Sequence, residues 1–471
     1  MPNHLIGRRF EIAHLESKFT SSKSEFIAIY GRRRVGKTFL VRRTFEDRMT
    51  FQLTGLADVT MGQQLTQFHA AMLRHAPVSM IKPADSWTLA FQQLSTHIDY
   101  LPADKKKVIF LDELPWLATP RSGFISALEH FWNSWASARD DILLIVCGSA
   151  ASWMLENMIH NKGGLHNRIT DQIHLKPFTL VETEEFLISK GVRLDRYQIL
   201  LLYMAFGGIP FYLDKIEPGQ SAMQNIDRLC FHPNAPFRIE FELLFASLFS
   251  SHKRHMDVVM ALSTKRTGLS REEISSLSGL TNAGSLTRIL EELEACDFIR
   301  RFRAFGKKVR DSVYQLTDPY SLFFTRFILE SHRDDENYWL NLTNSPKFYA
   351  WAGISFEMIC LLHISQIKQS LGIGGVQTSV SAWSGDGAQI DLIIDRKDHV
   401  INLCEMKFSI NEFEIDKAYS ENLRNKLEAF RASTQTKKSL FLTMVTTFGV
   451  KQNKHAGIAQ NNLTMDVLFE S

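Results

Sequence analysis

The chain has little of what marks a secreted, disulfide-stapled or membrane-spanning protein. Its five cysteines, Cys147, Cys230, Cys296, Cys360 and Cys404, are scattered through 471 residues, odd in number and without C-x-x-C spacing. This pattern excludes a disulfide framework and a structural zinc site, and it implies reduced, buried thiols. No stretch offers eighteen uninterrupted apolar residues, so no spanning helix and no membrane partner are expected. Met1 to Phe10 contains His4, Arg8 and Arg9 and lacks an apolar core, which argues against a secretory leader and for a cytoplasmic location. Excess charge is also missing: a net +3 is too small to imply nucleic acid by itself, although local clusters still could. No internal repeat or low-complexity segment is present. What remains, 45% hydrophobic and 22% charged residues, suits a globular chain with large cores, and the length suggests roughly three domains.

One segment carries the strongest chemistry. Gly31-Arg32-Arg33-Arg34-Val35-Gly36-Lys37-Thr38 meets the G-x-x-x-x-G-K-[ST] pattern at every fixed position. The β-prone Phe26-Ile27-Ala28-Ile29-Tyr30 precedes it, and Phe39-Leu40-Val41-Arg42-Arg43 reads as the opening of a helix. A strand, a glycine loop and a helix N-terminus form a phosphate cradle in which backbone N–H groups and the helix start face phosphate oxygens. The loop from Gly31 to Thr38, with Phe39 just after it, is therefore the candidate ATP site. Lys37 would reach the β- and γ-phosphates and Thr38 would hold Mg²⁺.

Residues 24 to about 215 alternate short apolar runs with helical patterns, the mark of a parallel sheet covered by helices. Val108 to Leu111 and Ile142 to Val146 are two buried strands with polar ends. Asp112-Glu113 follows the first of them, so Asp112 would bind Mg²⁺ through water and Glu113 would polarise the attacking water. An exposed acidic strand end is the competing reading. Ser149 is either a γ-phosphate sensor or a strand-end turn. Arg168 either stabilises the transferring phosphoryl group, in cis or from a neighbouring subunit, or is a surface arginine.

The ordered set Ile6-Gly7-Arg8, GRRRVGKT, FLDELPWL, Cys147-Gly148-Ser149 and Gly207-Gly208-Ile209-Pro210 resembles the archaeal and bacterial P-loop ATPases related to the AAA+ and STAND groups. The resemblance covers most of the chain. It implies a winged helix after the ATPase core and a C-terminal domain similar to PD-(D/E)XK nucleases. It also implies that Gly7 and Arg8 lie near the adenine and that Gly208 to Pro210 couple nucleotide to a helical lid. Ordinary turn chemistry is the alternative for both segments.

Two further regions carry candidate chemistry. Ser270 to Ile274 opens a short helix, and a second helix runs from Gly284 to Ala295. Phe298 to Tyr314 reads as a β-hairpin, so the whole resembles a winged helix-turn-helix. Arg300, Arg301, Arg303, Lys307, Lys308 and Arg310 crowd the hairpin with Phe302 and Phe305 between them, which suits DNA phosphates or a charge-protected edge strand. Near the C-terminus, Asp391 sits in Gln389 to Ile394, and Glu405 and Lys407 end Val400 to Cys404 on one face. A hairpin about Asp395 to Asp398 would join them, with Glu357 from a helix as a third carboxylate for Mg²⁺ and Lys407 to activate water. This resembles the PD-(D/E)XK core at Asp391, Glu405 and Lys407, but no proline precedes Asp391. A solvated sheet edge is the alternative.

The expected fold is therefore α/β: a P-loop parallel sheet at 1–180, a helical lid at 181–250, a winged helix at 251–330, a linker at 331–344, and a C-terminal α/β nuclease-like domain at 345–471. The expected function is Mg²⁺-ATP-dependent control of a DNA-binding module and a nuclease. The alternatives are a slow signalling switch, whose C-terminal domain only binds a protein partner or forms a homo-oligomer, and a DNA-binding regulator without enzymatic activity.

Overall fold

The computed structural model describes residues 5–75, 82–102, 105–160, 164–165, 167–307, 311–331, 337–385 and 387–470. His166, Lys308, Arg310 and the core of the charged connection, His332 to Glu336, lie outside the described residues. The chain divides into two compact units, one up to Lys176 and one from Pro177 onward.

The first unit holds strands β1 (Glu25–Tyr30), β2 (Met49–Thr54), β3 (Lys107–Asp112), β4 (Ile142–Gly148) and β5 (Asp171–His174) in the order β2-β3-β4-β1-β5. Every pairing is parallel. The middle strands β3 and β4 are buried at every residue and β1 at all but its last, because helices cover both faces of a parallel sheet. This is why they are continuous apolar runs in the sequence. The edge strands β2 and β5 bury only some of their residues and mix polar with apolar side chains, so they carry no such run. Helices Met61–His75, Trp87–Asp99 and Phe124–Ser134 pack an aromatic core against the sheet. Trp87 sits edge-on to Phe124 at 4.8 Å, and its truncation to alanine would cost on the order of 3–5 kcal/mol.

Register brings the strand ends to one rim. Tyr30 pairs with Gly148 and Thr54 with Asp112, so the glycine loop, the acid pair and Ser149 all leave the same carboxyl edge of the sheet. Because β4 lies between β1 and β3, Ser149 emerges between the loop and the acids.

The second unit begins with helices Leu180–Ser189, Arg196–Phe206, Ala222–Cys230 and Glu240–Leu248, two of them started by capping boxes at Thr179 and Ser221. Helices His252–Ser263, Arg271–Ser278 and Gly284–Ala295 follow, then an antiparallel hairpin of β6 (Ile299–Phe302) and β7 (Val313–Leu316). A long apolar helix, Pro346–Leu362, precedes a second sheet of β8 (Thr378–Gly385), β9 (Ala388–Arg396), β10 (Val400–Lys407), β11 (Ser439–Thr446) and β12 (Asn461–Thr464). Its order is β12-β11-β10-β9-β8, antiparallel across β8-β9-β10 and parallel across β10-β11-β12. Helix Lys417–Thr434 makes the crossover from β10 to β11.

The basic hairpin is not a free arm. Phe305 donates its backbone N–H to Ala382 O of β8 at 2.7 Å, and its ring packs on Phe430 at 5.2 Å. Phe302 is buried, and Arg300 is half-buried and hydrogen-bonded to Gln315. Desolvation pushes the Arg300 guanidinium down to about 10. Among the described residues of the hairpin, the exposed cations are Arg301, Arg303 and Lys307. Among the described residues no single helix is long and apolar enough to cross a membrane; Pro346–Leu362 and Ile364–Ser370 pass such a test only as a pair, bent by 73°.

Candidate functional site

The glycine loop is shaped by backbone constraints. Gly31 has φ +140°, and a Cβ there would lie 2.3 Å from Leu175 O, so only glycine fits. Gly36, at φ 94°, turns the chain into helix Lys37–Thr44, and Arg34 is also left-handed. The Lys37 ammonium, almost fully buried, donates to Gly31 O at 2.8 Å and Arg32 O at 2.9 Å. Lysine thus closes the loop on itself, and phosphate oxygens are the natural replacement for those carbonyls. Val35 and Arg32 are buried, Arg33 stacks over Trp116, and Phe39 lies beneath Arg43 on the first helical turn.

Gly7 and Arg8 are both left-handed, at φ 64° and 57°. Arg8 is nearly buried and donates to Val35 O at 3.2 Å and Lys176 O at 2.7 Å, so the N-terminal segment is latched directly onto the loop.

The acid pair meets the loop at its rim. Thr38 Oγ1 donates to Asp112 Oδ1 at 3.0 Å, linking residues 74 apart in the chain. Asp112 also accepts from the Cys147 thiol at 2.7 Å, the Thr54 hydroxyl at 3.4 Å and the Glu113 N–H at 3.1 Å. Burial, reinforced by the Asp112 charge, holds the Cys147 thiol well above its ordinary value, so it remains a protonated donor. Glu113 is left-handed at φ 49°, and its two oxygens accept from Ser149 Oγ at 2.7 Å and Ser149 N at 3.2 Å. Lys37, Thr38, Asp112, Glu113 and Ser149 are therefore brought together. Arg168 is not: it is an exposed turn residue, and among the described residues its side chain bonds to neither the loop nor the acids. Thr54 and Cys147 were missed as partners of Asp112. Cys147 stands directly before Gly148-Ser149, and that position was the available signal.

Residues 5–216 match a family model described as an ATPase domain predominantly from Archaea. Over these residues the chain is similar to archaeal ATPase domains. A curated protein of Methanocaldococcus jannaschii, itself uncharacterized, is 24% identical over 89% of this chain and 91% of its own length. An uncharacterized ATP-binding protein of the same organism is 42% identical over 43 residues, 9% of this chain and 73% of that one. In fold, the chain is similar to the Walker-type ATPase of Pyrococcus abyssi, with a TM-score of 0.53 and 17% identity over 68% of this chain and 96% of that one. ATP binding is supported by the ATPase domain and its loop geometry.

The ATPase match runs past Lys176 into the second unit, where Pro210 is buried at the start of helix Pro210–Leu213. Gly208 has no room for a side chain, since a Cβ would lie 1.9 Å from Phe178 O.

Beyond the ATPase domain, the second sheet and helix Pro346–Leu362 assemble a different set of acids. Glu357 lies on that helix, Asp391 on β9, and Glu405 and Lys407 on β10. All three carboxylates are buried. Each has cationic company: Arg266 reaches Glu357 Oε2 at 2.7 Å and Asp391 Oδ1 at 3.0 Å, while Lys426 holds Glu405 Oε1 at 2.5 Å. Lys407 lies 3.9 Å from Glu405 Oε2, and the Tyr419 hydroxyl donates to the same oxygen at 3.4 Å. Burial, with the nearby Asp391 charge, pushes Glu357 up to about 8 despite Arg266. Burial also pushes the Tyr419 phenol up, with Glu405 adding to it. Among the described residues, no group of three or more His, Cys, Asp or Glu side chains is arranged to hold a metal ion. Arg266 stands between two of the expected ligands.

Proposed function

We propose that this chain is a Mg²⁺-dependent ATP hydrolase whose nucleotide state controls the second unit, and that the C-terminal mixed sheet is a nuclease-like domain acting on DNA. The observation that carries the hydrolase reading is the 3.0 Å bond between Thr38 and Asp112, which joins a phosphate-loop hydroxyl to a strand-end carboxylate. Both side chains suit a Mg²⁺ shell, directly or through water. Mg²⁺ held by Thr38 and Asp112 would offset charge on the phosphate oxygens of ATP, the substrate that carries the transferred phosphoryl group. The rest falls to the protein. The N–H groups of the loop and the start of helix Lys37–Thr44 orient the phosphates, and Lys37 exchanges two carbonyls for phosphate oxygens. Glu113, once released from Ser149, accepts the proton of the attacking water. Ser149 then becomes available to the γ-phosphate, Gly7 and Arg8 form the base-side wall, and Pro210 couples the site to the helices after it. Arg168, being exposed, serves the site of a neighbouring copy.

The helices and hairpin between His252 and Leu316 support a winged-helix reading, with DNA contact through Arg301, Arg303 and Lys307. In the C-terminal sheet, Glu357, Asp391 and Glu405 would hold Mg²⁺, and Lys407 would position water. The decisive experiment is phosphate release from ATP with and without Mg²⁺, comparing the intact chain with Lys37→Ala. Mg²⁺-dependent release that disappears in the variant supports hydrolysis; equal release from both proteins sinks it. A slow switch is favoured by one observation: both Glu113 oxygens are engaged by Ser149. Slow turnover with no metal-dependent DNA cutting selects that reading.

A further inference from the structure

The turn Thr264–Gly268 joins helix His252–Ser263 to helix Arg271–Ser278, and it sends Arg266 into the acidic cluster of the second sheet. One guanidinium bridges two carboxylates from two different elements, the electrostatic task that a divalent cation would perform there. The arginine is the outer layer of this arrangement. Its side chain is 36% exposed, while those of Glu357 and Asp391 are 8% and 5% exposed.

The turn is mechanically tied to the hairpin. Leu269 and Tyr314 exchange backbone hydrogen bonds at 3.0 and 2.8 Å, and Gln315 donates to Thr267 O at 3.2 Å. Gly268, at φ 87°, leaves no room for a Cβ, which would lie 2.6 Å from Tyr314 O. The hairpin is in turn pinned to the C-terminal sheet through Phe305, by a backbone bond to Ala382 and by packing against the apolar cluster that includes Trp383 and Phe430. Arg266 and Phe305 are thus two anchors, one polar and one apolar, by which the same segment sits on that sheet.

We propose that this segment is an autoinhibitory clasp, with Arg266 as the internal cation that keeps a divalent metal out of the Glu357–Asp391 pair until the helices and hairpin lift away. The clasp rests on the nuclease-like reading of the cluster, but metal binding and cutting test the two separately. Lifting the hairpin frees Phe305 from the apolar cluster around Phe430, and it withdraws Arg266 because the turn is hydrogen-bonded to β7. A DNA ligand whose phosphates take the exposed face of the hairpin at Arg301, Arg303 and Lys307 would supply the differential affinity such opening requires.

The test is Mn²⁺ binding to the full-length chain without nucleotide, for the unsubstituted protein, Arg266→Ala, Arg266→Lys and Phe305→Ala, alongside nicking of supercoiled plasmid. Arg266→Ala should bind Mn²⁺ about tenfold or more tightly, within the usual range of intramolecular coupling. Arg266→Lys should stay near the unsubstituted protein, and adding Asp391→Asn to Arg266→Ala should erase the gain. Phe305→Ala leaves every acid in place and should shift affinity in the same direction, so it decides the matter if Arg266→Ala does not fold. Unchanged Mn²⁺ affinity in the folded variants overturns the clasp. Tighter Mn²⁺ binding without nicking keeps the clasp and removes the nuclease. Nicking at equal rates with equal Mn²⁺ affinity in the unsubstituted protein, Arg266→Ala and Phe305→Ala keeps the nuclease and removes the clasp.

Discussion

The two units each gather carboxylates, at strand ends in the first and on two strands and a helix in the second, yet they surround them differently. Asp112 and Glu113 are hydrogen-bonded by hydroxyls, a thiol and backbone N–H groups, all neutral donors. Asp391 and Glu405 are paired with Arg266 and Lys426, and Glu357 shares Arg266. Neutral donors orient a carboxylate without cancelling its charge, so the first pair stays attractive to a cation. An ion pair in a desolvated place cancels the charge and stabilises a closed arrangement, but becomes costly when one partner is removed. The first acids thus keep their charge, while those of the second unit have theirs offset by cations.

The sharpest way to break this contrast is at Glu113. Glu113→Gln should retain ATP binding and reduce turnover by about 10²–10⁴-fold, the usual contribution of a general base, as read by phosphate release beside fluorescent-nucleotide binding. Unchanged turnover would leave Glu113 a structural partner of Ser149. Next is Lys426→Ala, which leaves the Glu405 carboxylate buried without its closest cation. It should destabilise the second unit by about 3 kcal/mol, seen as faster hydrogen exchange across β10 and β11 during urea titration. Loss below about 1 kcal/mol would mean that the Glu405 charge is not sequestered.

A similar loss should follow acidification in the second unit. The ring of His363 is held neutral: Nε2 accepts from Leu180 N at 3.1 Å and Nδ1 donates to Ile359 O at 2.9 Å. Burial brings it down to about 4 from an ordinary 6.5. A depressed folded value means that this stabilisation is present above pH 6.5 and is lost as pH falls toward 4, roughly 3 kcal/mol in all. Urea midpoints at pH 7 and pH 4.5 should therefore differ more for the native chain than for His363→Gln. The smallest effect is expected at Cys147→Ala. It removes one neutral donor from Asp112 and should cost about 1 kcal/mol, with ATP binding retained. A cost as large as that of Lys426→Ala would erase the distinction between the two sites.

What the sequence revealed follows from how local each feature is. The middle strands β1, β3 and β4 are legible because helices cover both faces and the runs stay apolar. The edge strands β2 and β5 and the short β12 carry mixed polar patterns and merge with loops. The hairpin joining β9 and β10 was legible from two apolar runs around a charged turn, as was the common face of Glu405 and Lys407 from strand alternation. Nothing in the basic hairpin foretold that Arg300 and Phe305 would turn inward, because an edge strand meets its cover only after folding.

By itself the sequence determined the phosphate loop: eight consecutive residues contain the glycines, the lysine and the hydroxyl, and backbone preferences shape them where they stand. Only the tertiary structure decided which charge each acid meets. Thr38 finds Asp112 across 74 residues through sheet order, and Arg266 finds Asp391 across 125 residues through the seating of one segment on another. Dihedral preferences act within a few residues, whereas ion pairing acts through space, and chain distance says nothing about space until the core has packed.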